Sequence, residues 1–110
     1  MGSHRKRVRL IDSTLRDGSH ALSHQFRRED VARVARGLDE AGVGTIEVSH
    51  GDGLGGSSFN YGFSREDELE LLSAAAQVVR QARLAVLLLP GIGTKEELAA
   101  AYERGARVAR

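Results

Sequence analysis

The hydrophobic and polar positions of this chain follow two patterns in turn, short apolar runs and helical stripes. The apolar runs predict four strands, at residues 8–12, 45–49, 83–89 and 106–109. Between the runs, apolar residues recur every three or four positions and predict three amphipathic helices. Their stripes are Val31, Val34, Ala35, Leu38 and Ala41; Leu69, Leu72, Ala76 and Val79; and Leu98, Ala101 and Tyr102. This alternation is typical of right-handed βαβ units and a parallel sheet.

Sequence signals also mark the ends of these helices. Residues 94–97 have the spacing of a capping box, and residues 64–67 have the related S-x-x-D spacing. Arg27 is a poor N-cap, so the start of the first helix has the weakest signal. Gly42 is placed to follow the end of that helix, where a left-handed residue is common.

Two polar stretches follow the first and second predicted strands. Residues 13–24 have no helical period, and residues 50–63 contain five glycines. Functional groups gather at the C-terminal ends of strands in parallel α/β folds, so we expect the site there. The glycine-rich stretch lacks a P-loop lysine and does not match G-x-G-x-x-G, which disfavours nucleotide binding. A flexible or substrate-covering loop is the favoured interpretation.

Composition narrows the class of protein. The 110 residues include 16 basic and 15 acidic ones, for a net charge of +1, so nothing indicates a nucleic-acid or membrane partner. There are no cysteines, which excludes disulfides and thiolate metal sites. The longest apolar run, residues 84–89, is too short to cross a bilayer, and no apolar segment follows the basic N-terminus. We predict a cytoplasmic protein.

Two architectures fit an alternating α/β pattern, a doubly wound open sheet and a (β/α)₈ TIM barrel. A complete barrel needs roughly 250 residues. We predict a partial (β/α)₈ barrel, with the first three βα units and the start of the fourth strand. In this interpretation, residues 1–7 are an N-terminal tail and residues 8–110 are the truncated N-terminal portion of the barrel domain.

The candidate chemistry begins just after the first strand, at Arg16, Asp17 and His20. Asp17 offers an oxygen ligand to a hard divalent metal, the guanidinium of Arg16 binds an oxyanion, and His20 transfers protons. The alternative is a turn with a surface ion pair. Glu47 lies within the second strand, where a carboxylate is costly unless paired. We predict that it pairs with Arg16; a place in a polar barrel interior is the other interpretation.

His20 and His24 have the spacing of a helical metal-binding pair. No helical pattern surrounds them, so two structural histidines are favoured over a two-histidine metal site.

Four segments of this sequence resemble the 4-hydroxy-2-oxovalerate aldolases, in the pyruvate-metallolyase branch of the TIM barrels. The first of them, the Ser-Thr-Leu-Arg-Asp-Gly motif, is also shared with isopropylmalate-synthase-like and hydroxymethylglutaryl-lyase-like enzymes. The His-Gly-Asp-Gly and Ser-Ser-Phe-Asn-Tyr-Gly-Phe segments are more specific to the aldolases. The similarity runs from Val8 to Arg110. The segments are residues 13–18 with His20, 47–53, 56–63 and 87–94.

The resemblance implies a class II, divalent-metal-dependent lyase that cleaves 4-hydroxy-2-oxopentanoate into pyruvate and acetaldehyde, in aromatic hydrocarbon catabolism. By the family pattern, Asp17 would ligate the metal, most commonly Mn²⁺, and would bind substrate together with Arg16. Arg16 would stabilise the pyruvate enolate, and His20 would be the proton acceptor for the 4-hydroxyl. Glu47 matches the glutamate that orients this arginine. An acylating acetaldehyde dehydrogenase is the implied partner of the full-length protein.

The sequence also departs from the family pattern. Arg27 stands where relatives usually carry a Ser or Thr cap. The family's His-x-His metal ligands and its late catalytic tyrosine have no counterpart in these residues, so we expect the segment alone to be inactive. Two other hypotheses stay open. One is a related metal-dependent lyase or acyl transferase; the other is a non-catalytic barrel fragment that associates through its sheet edge at Val108.

Overall fold

The computed structural model describes residues 8–110, so the predicted tail at residues 1–7 lies outside the described residues. The strands are β1 (Ile11–Asp12), β2 (Thr45–Glu47), β3 (Arg83–Val86) and β4 (Ala106–Ala109). The α-helices are α1 (Arg28–Glu40), α2 (Glu68–Val78) and α3 (Lys95–Glu103), and a 3₁₀-helix occupies Asp17–Leu22. Each described helix is too short or too polar to span a bilayer.

The four strands form one parallel sheet in the order β1-β2-β3-β4. Thr45 pairs with Ile11 on one side and with Arg83 on the other, and Leu84 pairs with Ala106. In the doubly wound strand order 3-2-1-4, the fourth strand pairs with the first strand. Here it pairs with the third, as successive barrel strands do. The predicted partial barrel is therefore confirmed.

The core lies between the sheet and the helices, with α1 packed on α2 and α2 on α3. The predicted stripes contribute Val31, Ala35 and Leu72 to it, whereas Ala41 and Tyr102 are exposed. Tyr102 instead lies beneath the guanidinium of a neighbouring arginine, 4.4 Å from the ring centroid. The fully buried large apolar side chains are Leu15, Val31, Ile46, Val48, Leu54, Leu72 and Val86.

The first three strands are shorter than predicted, and β4 has the predicted bounds. The second strand ends at Glu47 rather than at residue 49. The first begins at Ile11 rather than at residue 8, and the third ends at Val86 rather than at residue 89. Beyond Val86 the backbone remains bonded: the Leu54 N–H donates to the Leu87 carbonyl at 2.8 Å. The apolar segment therefore continues beyond the hydrogen-bonded strand β3, and its backbone bonds the loop that follows β2.

Residues 13–24 have no helical period in the sequence, yet Asp17–Leu22 form a 3₁₀-helix. A 3₁₀-helix turns every three residues, so a short one leaves no 3.6-residue stripe in the sequence. It ends at Ser23 and His24, two consecutive residues with left-handed backbones (φ 51° and 61°).

The capping box predicted for α3 is present. The Glu97 N–H donates to Thr94 Oγ1 at 3.1 Å, and the Thr94 N–H donates to Glu97 Oε1 at 3.0 Å. The corresponding prediction for α2 is wrong in register. Its N-cap is Asp67, whose carboxylate accepts the Leu69 N–H at 2.7 Å, and not Ser64.

Helix α1 begins without a side-chain cap from Arg27, as its sequence predicted. A carboxylate from another segment takes that place: the Arg28 N–H donates to Glu66 Oε2 at 2.6 Å. Asp30 accepts the Arg27 N–H at 3.0 Å, which satisfies a second amide at this end. The predicted helix end is confirmed, since Gly42 has a left-handed backbone with φ 89°.

Candidate active site

Arg16 joins three segments at the C-terminal end of the sheet. Its Nε donates to Oε1 of Glu47 at 2.5 Å, and its Nη1 donates to the Gly51 carbonyl at 3.3 Å. The Glu47 side chain is fully buried, and that of Arg16 is 17% exposed. The ion pair predicted from the sequence is therefore present, and it fixes the direction of the guanidinium.

The second carboxylate oxygen of Glu47, Oε2, has an ion-pair contact but no hydrogen bond within residues 8–110. Nη1 of Arg110 lies 3.1 Å from Oε2, close enough for an ion pair. The contact lacks hydrogen-bond geometry, so Oε2 has no hydrogen-bond partner within residues 8–110. Two guanidinium groups thus compensate one buried carboxylate, and Arg16 has the better geometry of the two.

Asp17 lies beside Arg16 on the solvent side of the site. Its Oδ1 is 3.6 Å from Arg16 Nη1, and its side chain is 66% exposed. An accessible carboxylate at a strand end fits the oxygen chemistry of a hard divalent cation. In the described part of the chain, Asp17 does not belong to a group of three potential metal ligands. It therefore offers a single donor group rather than a preformed metal site.

His20 is exposed and contacts His24 edge to face, with the ring centroids 5.2 Å apart. His24 is buried, and it stacks on His50 at 3.8 Å. No helical pattern in the sequence predicts that His20 and His24 lie together. The 3₁₀-helix and the left-handed turn after it bring them together.

Burial lowers the pKa of His24 below its ordinary value of 6.5, and the neighbouring imidazoles of His50 and His20 lower it further. Asp52 opposes this shift. His24 is therefore neutral near neutral pH. We call His20, His24 and His50 the histidine row.

Sequence reasoning missed His50, which anchors the glycine-rich loop. Its Nδ1 accepts the N–H of Asp52 at 3.0 Å, so its Nε2 carries the proton and donates to the Gly62 carbonyl at 2.8 Å. The side chain is completely buried. A histidine directly after a strand, at the start of a glycine-rich loop, was the available signal.

Glu68 was also missed. Its carboxylate accepts the N–H of His50 at 3.2 Å and the N–H of Gly55 at 2.7 Å. Burial raises its pKa, and these two hydrogen bonds oppose the rise. Because a carboxylate already accepts from these two amides, neither is available to a phosphate.

The sequence of this chain is similar to a family model and to several known proteins. The HMGL-like family model matches residues 7–110. The 4-hydroxy-2-oxovalerate aldolase of Carboxydothermus hydrogenoformans is 59% identical over 105 residues, which cover 96% of this chain and 31% of the relative. 4-Hydroxy-2-oxovalerate aldolase 6 of Rhodococcus jostii is 61% identical over 94% of this chain and 29% of the relative. The 4-hydroxy-2-oxovalerate aldolase of Thermus thermophilus is 59% identical over 92% of this chain and 29% of the relative.

The chain thus spans about three tenths of the length of the curated relatives it matches. The matched part contains the Arg16–Glu47 pair, Asp17 and the histidine row.

Proposed function

The chain belongs to the HMGL-like family, and from this premise we propose that it forms the Arg16–Asp17–His20 part of a metal-dependent aldolase active site. The reaction is the cleavage of 4-hydroxy-2-oxopentanoate to pyruvate and acetaldehyde. One observation carries the proposal: a guanidinium held by a buried carboxylate, Glu47, next to an accessible carboxylate, Asp17. The identity to three proteins named 4-hydroxy-2-oxovalerate aldolase supports this choice of reaction.

In this mechanism His20 accepts the proton of the C4 hydroxyl. The electrons of the O–H bond then form the aldehyde carbonyl as the C3–C4 bond breaks, which releases acetaldehyde. The electrons of the C3–C4 bond form the C2–C3 double bond of an enolate whose negative charge lies on the 2-oxo oxygen. A proton from solvent added at C3 completes pyruvate, and His20 returns its proton to solvent. Arg16 provides fixed positive charge at the 2-oxo oxygen, and one such preorganised donor typically contributes about 3 kcal/mol of barrier lowering.

A divalent metal suits the same step, and Asp17 would hold it. When bound, such an ion acts as a Lewis acid toward the 2-oxo group. Mn²⁺ is the ion we propose from the sequence resemblance, and an exposed carboxylate, as a hard oxygen donor, is compatible with it. The sequence resemblance further suggests a role in aromatic hydrocarbon catabolism, a cytoplasmic location and an acylating acetaldehyde dehydrogenase as partner.

The proposal is tested with a chimera. Residues 8–110 replace the matching segment of the Thermus thermophilus relative, and pyruvate release is followed in a coupled assay with Mn²⁺. We expect the chimera to release pyruvate, and we expect the 110-residue chain alone to be inactive. Arg16→Ala should lower kcat of the chimera by about 10²–10³-fold, and Arg16→Lys should recover little of it because lysine lacks the planar fork.

Two outcomes contradict the proposal. The first is a folded chimera that releases no pyruvate while the unmodified relative does. The second is Arg16→Ala with unchanged kcat. An assay with acyl-CoA substrates is run in parallel, because activity there and not with the 4-hydroxy-2-oxo acid would identify a related acyl transferase instead.

A further inference from the structure

Three potential metal ligands converge beside the candidate active site. One ring nitrogen each of His20 and His24 and one carboxylate oxygen of Asp52 all lie within 4.8 Å of one another. His20 comes from the 3₁₀-helix, His24 from the turn after it, and Asp52 from the loop after β2. We call these residues the His20–His24–Asp52 cluster. The described part of the chain has no second group of this kind.

The hydrogen bonds around His24 assign its tautomer. The hydroxyl of Ser19 donates to the Arg16 carbonyl at 2.6 Å, so its hydrogen is not available to the imidazole. Ser19 Oγ lies 3.2 Å from His24 Nδ1, and it can only accept there. This contact assigns the proton to Nδ1 of His24. The ring also has a hydrogen-bond neighbour in the backbone of Tyr61, and a cation bound by the imidazole would replace that contact. A ring N–H fixed by an oxygen is the arrangement that orients metal-binding histidines.

The neighbouring His50 is not available as a ligand, because one of its ring nitrogens accepts from the Asp52 N–H and the other donates to the Gly62 carbonyl. It forms a wall of the cluster instead. Its stacking contact supports the ring of His24, and its bond to the backbone of Asp52 holds that residue at the cluster.

The absence of a side chain at residue 51 leaves room at the centre. A Cβ atom on Gly51 would lie 2.7 Å from both Cε1 and Nε2 of His20, and 2.8 Å from Cε1 of His24. Both imidazoles therefore face the space that this glycine leaves open. A side chain at this position would displace them.

We propose that the His20–His24–Asp52 cluster binds a zinc-class divalent cation, at a site separate from the one at Asp17. Two imidazoles and one carboxylate are the ligand set of open zinc sites, in which water takes the fourth position. Tetrahedral zinc with bonds of about 2.0–2.1 Å needs ligand atoms roughly 3.3 Å apart. His20 is exposed and Asp52 is partly exposed, so both can move inward while the buried His24 stays in place.

The consequence for activity rests on the proposed function. An ion bound to His20 takes up the lone pair that would accept the substrate proton. The cluster then acts as an inhibitory site, at which zinc competes with catalysis. The binding of zinc itself does not depend on the proposed reaction.

The test begins with zinc binding by the full chain, measured by competition with a chromophoric chelator, with circular dichroism as the check on folding. We expect one zinc ion per chain. His20→Gln and Asp52→Asn should each weaken zinc affinity by at least about tenfold, since even outer-sphere changes cost that much. Both positions are accessible, so both variants should keep the fold. Asp17→Asn is the matched control for Asp52→Asn, and it should not change zinc affinity.

Unchanged zinc affinity in both His20→Gln and Asp52→Asn overturns the proposal, as does a loss of affinity in Asp17→Asn instead. Inhibition is then measured in the active chimera. Asp52→Asn should raise the zinc concentration for half-inhibition by at least about tenfold, and an unchanged value overturns the inhibitory role. An inactive chimera with intact zinc binding would reject the proposed reaction and leave the cation site standing.

Discussion

Arg16 and Glu47 are 31 residues apart in the chain, yet the guanidinium Nε of one donates directly to the carboxylate of the other. Glu47 is fully buried in β2, and Arg16 is the N-cap of the 3₁₀-helix that follows β1. The pair therefore connects the ends of two neighbouring strands. It also orients the one guanidinium that contacts the glycine-rich loop through Gly51 in the described residues.

We predict that Glu47→Gln destabilises the chain by about 3 kcal/mol, because it leaves the guanidinium of Arg16 without its buried counter-charge. Urea denaturation measures the free energy of unfolding. Glu70→Gln is the matched control: its ion pair with Arg104, at 3.0 Å, is roughly half-exposed, so its loss should cost under about 1 kcal/mol. Equal losses for the two variants would contradict the structural role given to Glu47.

His20 should matter to turnover and not to folding. In the active chimera, His20→Gln should lower kcat by about 10²–10⁴-fold, since the variant removes the proton acceptor. His20 is exposed, so the free energy of unfolding should change by less than about 0.5 kcal/mol. Stopped-time pyruvate assays and urea denaturation give the two numbers. A variant that turns over like the parent would remove His20 from the mechanism.

The Arg16–Glu47 pair could be predicted from the sequence because burying an unpaired carboxylate costs free energy. A carboxylate between Ile46 and Val48 in a parallel strand requires a buried partner, and Arg16 is the nearest cation at a strand end. The βα alternation was likewise readable, since each helix has an apolar face. The strand order then follows from short right-handed connections.

The histidine row could not be predicted in this way. It depends on left-handed backbones at Ser23 and His24, and neither residue type signals such a conformation as glycine would. The contact between His24 and His50 also joins two loops that are 26 positions apart in the chain, a separation about which periodicity carries no information. Glu68 was missed for a related reason: only the folded loop brings the amides of His50 and Gly55 to its carboxylate.

Two glycines, one inside α1 and one just after its C-terminal end, give predictions of opposite sign for the same substitution. Gly37 lies in the helix interior, and a Cβ there would meet no atom within 4 Å. Gly37→Ala should therefore stabilise the chain by about 0.5–1 kcal/mol.

Gly42 has equally open space but a left-handed backbone, with φ 89°. The Gly42 N–H donates to the backbone carbonyl of Asp39, and the Val43 N–H donates to the carbonyl of Leu38. These two bonds form a Schellman motif, which holds the left-handed conformation. Gly42→Ala should destabilise the chain by about 1–2 kcal/mol. Thermal and urea unfolding of both variants check the pair, and a shift of the same sign in both would contradict the assignment.

Asp39 gives a prediction about acid stability. Its carboxylate accepts three backbone N–H groups after α2, those of Arg80 at 2.8 Å, Gln81 at 3.0 Å and Ala82 at 2.7 Å. These hydrogen bonds, that of Ala82 foremost, lower the pKa of Asp39 below its ordinary 3.8. A carboxyl with a lowered folded-state pKa contributes stability above its unfolded-state pKa, and this contribution is lost as the pH falls through the folded-state value.

The free energy of unfolding should therefore fall as the pH drops below about 3.8, in part because the protonated Asp39 no longer accepts all three bonds. Asp39→Asn should be less stable than the parent at neutral pH, and the difference should shrink in acid because the amide does not titrate. Urea denaturation from pH 7 to pH 3 measures both curves, with Glu103→Gln, an exposed carboxylate, as control. Parallel curves for the parent and Asp39→Asn would show that this carboxylate does not cause the loss of stability in acid. If it does cause the loss, replacing it must change the slope of the free energy of unfolding against pH.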